Sequence, residues 1–256
     1  MSKHPTNIRA QLVAHLKELR LPAMRDCYEE QAQHAQQETL SYEQYLFELA
    51  RRECEARRQH RVERFLRESR LPIDKSLDAF DIKRLPRKVA QQVPTLLDGS
   101  FLERRENVLA FGNPGSGKTH LLCALGQELI RAGRRIYFTP TALLVQDLLR
   151  AKQELKLARL LKRLAKYDAL ILDDIGYVQH NRDEMEVLFT LLAERYERGS
   201  VMITSNLPFS QWERIFKDPM TTAAAIDRLV HHSVILELNI QSYRVQAAKN
   251  KGKTSA

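Results

Sequence analysis

Residues 107–119 read Asn107-Val-Leu-Ala-Phe-Gly-Asn-Pro-Gly-Ser-Gly-Lys-Thr119, and this stretch decides the fold class. Its first five residues form a short apolar run typical of a buried strand, and a helical pattern follows Thr119. Between them, Gly112–Thr119 matches the phosphate-binding pattern G-x-x-x-x-G-K-[ST] in full. The glycines let backbone N–H groups turn toward phosphates, and the next helix directs its positive end at them. The stretch predicts a strand, a nucleotide-binding loop and a helix in succession.

The loop predicts ATP and Mg²⁺ as cofactors. Lys118 is expected to reach the β- and γ-phosphates and to assist catalysis, and the Thr119 hydroxyl is expected to bind Mg²⁺. A chance match is expected in roughly 1% of chains of this length, but three of the nine glycines of this chain lie in the octapeptide. The predicted nucleotide-binding residues are Gly112, Asn113, Pro114, Gly115, Ser116, Gly117, Lys118, Thr119 and His120.

A second apolar run, residues 167–174, ends in two acidic residues. Asp173, at the end of a buried strand beside the loop, has the position of a Walker B aspartate and is predicted to hold Mg²⁺, through water. Asp174 stands where a base would orient and polarise the attacking water. Many ATPases of this type have Glu there, so the shorter Asp174 must lie closer to the water or act through a second one.

A third apolar run, residues 201–206, ends in Ser205 and Asn206. If this strand lies between the other two, Asn206 would point at the γ-phosphate or its attacking water, as a sensor residue does. The alternative is that the two polar residues only begin the turn before Pro208.

The rest of the chain divides into two patterns. Residues 1–72 look helical throughout, with a Ser41–Gln44 capping box before a long helix that Pro72 ends. From residue 107 onward, short apolar runs alternate with amphipathic stretches, which predicts an α/β fold with a parallel sheet flanked by helices. The five runs are Val108–Phe111, Ile136–Thr139, Ala169–Leu172, Val201–Thr204 and Val234–Leu238. We therefore expect a helical domain over 1–72, a connector over 73–106, an ATPase domain over 107–248 and a basic tail over 249–256.

Composition sets the class of protein. The 256 residues are 43% hydrophobic, which excludes a wholly disordered protein, and the net charge of +9 favours an acidic partner such as nucleic acid. Neither a signal peptide nor a membrane-spanning apolar run is evident, so a cytoplasmic location without membrane contact is expected. The three distant cysteines indicate neither a disulfide framework nor a zinc site.

Together these motifs resemble the IstB-like family of ATP-binding proteins. These are helper ATPases encoded beside the transposase of bacterial insertion sequences, and they are relatives of the DnaC helicase loader. The matching segments are 19–24, 28–31, 77–80, 112–119, 167–176, 195–199, 203–209, 227–232 and 242–244, with Trp212. The resemblance implies an AAA+ fold behind a helical N-terminal domain, and ATP-dependent homo-oligomerisation on duplex DNA. It also implies cooperation with a cognate transposase in choosing or preparing the target site.

The resemblance further implies roles for two arginines. Arg228 stands where an arginine finger reaches the ATP of the neighbouring subunit and stabilises the transition state; without the resemblance, a surface salt bridge is the simpler interpretation. Arg244 resembles the second sensor arginine and is assigned to the nucleotide.

Two alternative functions also fit the sequence. One is a helicase loader of the DnaC type, and the other is a DNA-coating protein in which the bound nucleotide switches assembly without hydrolysis.

Two basic runs account for the positive charge. Residues 150–166 hold seven basic residues against one acidic residue, and residues 51–70 hold eight against four. The first run favours contact with DNA phosphates. For the second, a solvated helix face with Glu–Arg pairs, DNA contact and transposase docking all stay open. The predicted DNA-binding residues are Lys152, Lys156, Arg159, Lys162 and Arg163.

Overall fold

In a computed structural model, residues 5–176, 182–216 and 219–243 are described. The chain forms two compact units, residues 1–64 and 65–256, and the division between them falls inside the third helix. Within the described ranges, no helix is long and apolar enough to cross a membrane.

The first unit is helical, as predicted. It contains α1 (Pro5–Glu18), α2 (Pro22–Gln37) and most of α3 (Tyr42–Ser69). The predicted capping box is confirmed: the Ser41 N–H donates to Gln44 Oε1 at 2.9 Å, and the Gln44 N–H donates to Ser41 Oγ at 3.2 Å. These bonds satisfy amides at the start of α3 that have no partner within the helix.

The start of α2 is capped from another helix. Its N-cap residue, Leu21, offers no side-chain acceptor. Instead, Oε2 of the buried Glu53 accepts the N–H groups of Ala23 and Met24 at 2.8 and 3.1 Å. Burial alone would raise the pKa of Glu53, but the hydrogen bonds from Arg57, Met24 and Ala23 lower it below its ordinary value. Glu53 therefore supplies the negative charge that the positive end of α2 favours.

The second unit begins with short helices before its sheet. A 3-10 turn (Ile82–Arg84), α4 (Arg87–Leu97) and α5 (Ser100–Glu103) occupy the segment from 73 to 106. Val89, Val93 and Leu96 of α4 are buried, and Phe101 and Leu102 are 1% exposed. These side chains belong to the core of the second unit.

The predicted parallel sheet is confirmed. Its strands are β1 (Asn107–Phe111), β2 (Ile136–Pro140), β3 (Ala169–Asp173), β4 (Ser200–Ser205) and β5 (Ser233–Glu237). Every pairing is parallel, and the order across the sheet is β2-β3-β4-β1-β5. Because β4 lies between β3 and β1, the loops that follow β1, β3 and β4 emerge side by side at the carboxyl edge of the sheet.

Helices flank the sheet and bury its apolar strands. They are α6 (Lys118–Arg131), α7 (Thr141–Gln153), α8 (Leu157–Leu164), α9 (Arg182–Arg195), α10 (Glu213–Phe216) and α11 (Pro219–Val230). Trp212 is fully buried, and its indole N–H donates to the Leu207 carbonyl at 3.2 Å, so it is a core residue.

A buried arginine fastens the edge of the sheet opposite to the phosphate loop. The Arg195 guanidinium, at the end of α9, donates to the carbonyls of Tyr167 and Ser200 at 2.8 Å and of Asp168 at 3.0 Å. Burial lowers the pKa of Arg195 to about 10. A Cβ at Gly199 would lie 2.5 Å from the Arg195 Cζ, so only glycine leaves room for the guanidinium.

Candidate nucleotide-binding site

The loop between β1 and α6 has a backbone conformation that requires glycine at two positions. Gly112 has a φ of 151° and Gly115 a φ of 80°, a region that other residues rarely adopt. A Cβ at Gly112 would collide with the Leu238 carbonyl, and one at Gly115 would collide with the Ser242 side chain. The chain after β5 thus passes against the loop, where the Tyr243 N–H donates to the Gly115 carbonyl at 2.9 Å.

Lys118 is held inside the loop. Its Nζ donates to the carbonyls of Gly112 and Asn113 at 2.8 and 3.0 Å, and the residue is 7% exposed. Burial lowers the pKa of Lys118, while the charges of Asp174 and Asp173 oppose that fall. Nearby, Ser116 Oγ is buried and has no hydrogen-bond partner in the described part of the chain. An ammonium and an unpaired hydroxyl in a glycine-rich loop are suited to an anion.

One carboxylate oxygen connects three segments of the site. Asp173 Oδ1, at the end of β3, accepts hydrogen bonds from the hydroxyl groups of Thr119 and Thr204, each at 2.7 Å. Thr119 begins α6 and Thr204 lies in β4, so the first turn after the loop and two neighbouring strands meet at this atom. A hydroxyl and a carboxylate oxygen side by side are ligands of the type that Mg²⁺ prefers.

Asp174 adopts a special backbone conformation beside this pair. Its φ is 63°, and its N–H donates to Thr204 Oγ1 at 2.8 Å, which fixes the turn after β3. Burial raises the pKa of Asp174, the Asp173 charge raises it further, and Lys118 opposes the rise. A raised pKa makes a carboxylate a stronger base than an ordinary aspartate.

Asn206 lies at the same edge, because β4 runs between β3 and β1. Its Oδ1 atom is buried and lacks a hydrogen-bond partner among the described residues. A Cβ at Gly176 would lie 2.9 Å from this oxygen, so the amide adjoins the loop after β3. Ser205 makes the turn instead: its Oγ donates to the Leu207 carbonyl at 2.9 Å and accepts the Leu207 N–H at 3.1 Å.

Two other predicted residues, His120 and Arg228, lie elsewhere. His120 Nε2 is 2.9 Å from the Ser76 carbonyl, and its ring contacts Phe80 at 5.1 Å between centroids, so it packs on the segment before β1. The Arg228 guanidinium stacks on the Phe189 ring at 4.9 Å and donates to the Ala224 carbonyl at 2.9 Å. Arg228 adjoins the amino-terminal ends of β1 and β4, away from the phosphate loop of its own chain. Arg244 lies outside the described residues.

The predicted DNA-binding residues differ in their surroundings. Lys152 pairs with Glu186 at 3.0 Å, and Lys156 pairs with Glu154 at 2.8 Å. In contrast, Arg159, Lys162 and Arg163 are exposed on α8 and form no ion pair with any residue that the structure describes. The leucines of α8 face the core, so its basic face points outward.

Sequence reasoning missed two residues that organise the site. Thr204 orients both acidic residues, and Arg195 fastens the strands that carry them. Thr204 precedes two polar residues at a strand end, and only the strand order shows that its hydroxyl meets Asp173. Arg195 binds backbone carbonyls and, among the described residues, no acidic side chain, so no pattern of residues in the sequence predicts its role.

Comparison with known protein families assigns the chain. The model of the family described as IstB-like ATP binding protein matches residues 14–251. The chain belongs to the IstB-like ATP-binding protein family. The IstB-like protein is 42% identical to an insertion-sequence ATP-binding protein of Sinorhizobium fredii, over 99% of this chain and 87% of the relative. It is 40% identical to the ATP-binding protein of insertion sequence IS21 from Pseudomonas aeruginosa, over 86% and 83%.

Solved structures confirm the AAA+ fold of the IstB-like protein. The DnaC helicase loader matches with a TM-score of 0.53 at 21% identity, over 66% of this chain and 98% of that one. AMPPCP-bound DnaA from Aquifex aeolicus matches with a TM-score of 0.57 at 18% identity, over 73% and 57%. The resemblance drawn from the sequence is thus confirmed at the level of family and fold.

Proposed function

We propose that this IstB-like protein hydrolyses ATP, assembles on duplex DNA, and assists the transposase of its insertion sequence in choosing or preparing a target site. The observation that carries the ATPase assignment is the pair of hydroxyl bonds from Thr119 and Thr204 to one oxygen of Asp173. These two hydrogen bonds bring together the phosphate loop, the end of β3 that carries Asp173, and β4, which leads to Asn206. ATP hydrolysis requires these three segments at one site.

The loop residues suit a nucleoside triphosphate. Lys118 would exchange its two carbonyl acceptors for the β- and γ-phosphates, and Ser116 Oγ would gain the partner that it lacks. Thr119 and Asp173 would hold Mg²⁺, whose charge supports the triphosphate during phosphoryl transfer. Arg244 is proposed to contact the same nucleotide.

Asp174 and Asn206 are proposed to handle the attacking water. Asp174 accepts a proton as the water oxygen bonds to the γ-phosphorus, and the bond to ADP breaks. The unpaired Asn206 Oδ1 would accept a hydrogen bond from that water and orient it. The raised pKa of Asp174 brings its basicity closer to the range that proton transfer near neutral pH requires.

Arg228 is proposed to act on a neighbouring subunit. It lies at the opposite strand ends from its own phosphate loop, so it cannot serve that loop. In a homo-oligomer with ATP sites at the subunit interfaces, it would provide positive charge to the transition state of the adjacent site. ATP binding would then favour assembly, and hydrolysis would remodel or release the complex.

The proposed DNA surface is the outward face of α8 with the end of α7. Arg159, Lys162 and Arg163 are exposed and lack ion pairs with described residues, so their charges are available for phosphates. Lys152 and Lys156 would first exchange their acidic partners. Neutralising phosphates releases counterions, which gives binding of any sequence. The relatives named as insertion-sequence ATP-binding proteins support the link to a transposase.

Two other functions have a specific observation behind them. The DnaC likeness, over 98% of that chain, favours a helicase loader; capture of a replicative helicase in place of the transposase would identify it. The short Asp174 favours a DNA-coating protein that binds ATP without hydrolysing it. The absence of phosphate release with ATP, DNA and transposase together would identify that function.

Two variants test the proposal, with Lys88→Ala, an exposed lysine of α4, as the matched control. Lys118→Ala should abolish ATP-dependent assembly in sedimentation, because the phosphates lose their buried ammonium. Asp174→Asn should assemble with ATP but lower phosphate release by about 10² to 10⁴. Normal assembly of Lys118→Ala, or normal turnover of Asp174→Asn, would contradict the proposed roles.

A further inference from the structure

Two tyrosines at the start of β2 and β3 meet at a tilted angle and have arginines around them. The rings of Tyr137 and Tyr167 lie 5.1 Å apart. The Arg70 guanidinium lies 5.5 Å from the Tyr137 ring, and that of Arg135 lies 5.2 Å from Tyr167 and 5.5 Å from Phe65. Stacking on aromatic rings limits the motion of a guanidinium and leaves its N–H groups at the ring edge free to bind.

The charge at this cluster is strongly positive. Arg70 is exposed and forms no ion pair with a residue that the structure describes, and Arg163 and Lys166 are exposed as well. The end of α8 leads directly into this cluster, because the Lys166 N–H donates to the Arg163 carbonyl at 3.3 Å and the Tyr167 N–H donates to the Leu164 carbonyl at 3.2 Å.

Two acidic groups adjoin the cluster. Glu68 pairs with Arg135 at 3.2 Å, and Asp168 Oδ2 accepts the Arg135 backbone N–H at 2.7 Å. Neither acid forms an ion pair with Arg70 or Arg163 among the residues that the structure describes.

We infer that Arg70, Arg135 and Arg163 form a phosphate-contacting surface that extends the DNA path from the basic face of α8 to the end of α3. The inference rests on the proposed DNA-binding function and adds contacts at Arg70 and Arg135. Duplex DNA is the partner that fits, because the cluster adjoins the end of α8, whose exposed basic residues form no ion pair with any described residue. Guanidinium groups bind phosphates through two hydrogen bonds at once, so a rigid set of them suits a nucleic-acid backbone.

The test is binding of a fluorescent duplex by the full chain with ATP, measured over a range of salt concentrations. Arg70→Gln and Arg163→Gln should each lower the salt slope by about one per protomer and weaken binding about eightfold at 0.1 M salt. Arg198→Gln, which removes an exposed arginine paired with Glu194 on α9, is the matched control and should leave both values unchanged. Arg70→Lys should restore the slope, because it keeps the charge.

The outcomes separate this inference from the function on which it rests. A normal slope for Arg70→Gln, with a reduced slope for Arg163→Gln, would overturn the extension and leave the α8 surface in place. Normal DNA binding with loss of transposase capture in both variants would assign the cluster to a protein partner. If the unmodified chain binds no duplex at all, the proposed DNA-binding function itself fails.

Discussion

Replacing Arg195 with Met tests whether one buried guanidinium fastens the sheet. The side chain is 4% exposed and donates to four backbone carbonyls, those of Leu164, Tyr167, Asp168 and Ser200. Met fills a similar volume but donates no hydrogen bond. The carbonyls of Leu164 and Asp168 also accept backbone N–H groups, so they retain a partner in the variant.

The expected loss follows from the two shortest contacts. The guanidinium bonds to the Tyr167 and Ser200 carbonyls are 2.8 Å each, and a hydrogen bond from a charged group contributes about 1.5–3 kcal/mol. The variant also escapes the cost of burying a charge, which lowers the pKa of Arg195 to about 10. We therefore expect a net loss of about 3 kcal/mol, and a melting temperature lower by about 6–12 °C for a unit of this size.

Trp212 provides the assay. It is the single tryptophan of the chain and is fully buried in the second unit, so its fluorescence reports the unfolding of that unit. Arg198→Met is the matched control, since Arg198 is exposed and pairs with Glu194, and should change the melting temperature by less than about 1 °C. An Arg195→Met melting temperature within about 2 °C of the unmodified protein would refute the fastening role.

Gly199→Ala provides an independent arm of the same experiment. Its new Cβ would meet the Arg195 guanidinium, which four carbonyls hold in place. We expect destabilisation by steric conflict, about 1–3 kcal/mol. The conflict disappears when the guanidinium is absent, so the Arg195→Met and Gly199→Ala double variant should lose less than the sum of the two single losses. Additive losses would show that the two residues do not interact.

Three further predictions concern the site and the helical unit. Asp174 must be ionised to act as a base, and burial raises its pKa. As the pH decreases, ATP turnover should therefore begin to fall at a pH above the ordinary aspartate pKa of about 3.9. A fall in turnover that begins only below about pH 4 would contradict this role. Arg228→Ala should assemble with ATP but lose about 10³ in turnover. Mixing it with Asp174→Asn subunits, which also assemble, should restore activity, because each variant supplies the residue that the other lacks; no recovery in mixed assemblies would exclude action between subunits. Glu53→Gln should cost the first unit about 1–2 kcal/mol at pH 7, seen as faster amide exchange at Ala23 and Met24. Since the folded pKa of Glu53 is lowered, its stabilisation is present above the ordinary glutamate range and lost as the pH falls through the folded value, so the difference should vanish in acid.

Local patterns in the sequence determined the elements of this fold. The five apolar runs, the phosphate loop and the Ser41–Gln44 capping box all depend on residues close along the chain, so their sequence predicts them directly. The same holds for the outward basic face of α8, because apolar and basic residues alternate there with a helical period. The segment before β1 was less readable, since its helices are short and its prolines interrupt them.

Only the tertiary structure decided which distant side chains meet. No local sequence pattern predicts the order of the strands. The Thr204 hydroxyl reaches Asp173 because β4 lies between β3 and β1. The same packing buries the Arg195 guanidinium among backbone carbonyls, which carry no side-chain signal. It also gathers Arg70 and Arg135 from separate segments of the chain around two tyrosines. The sequence therefore predicts the phosphate-binding loop, because its residues are consecutive. The contacts of Thr204, Arg195 and Arg70 join residues far apart in the chain, so only the folded structure shows them.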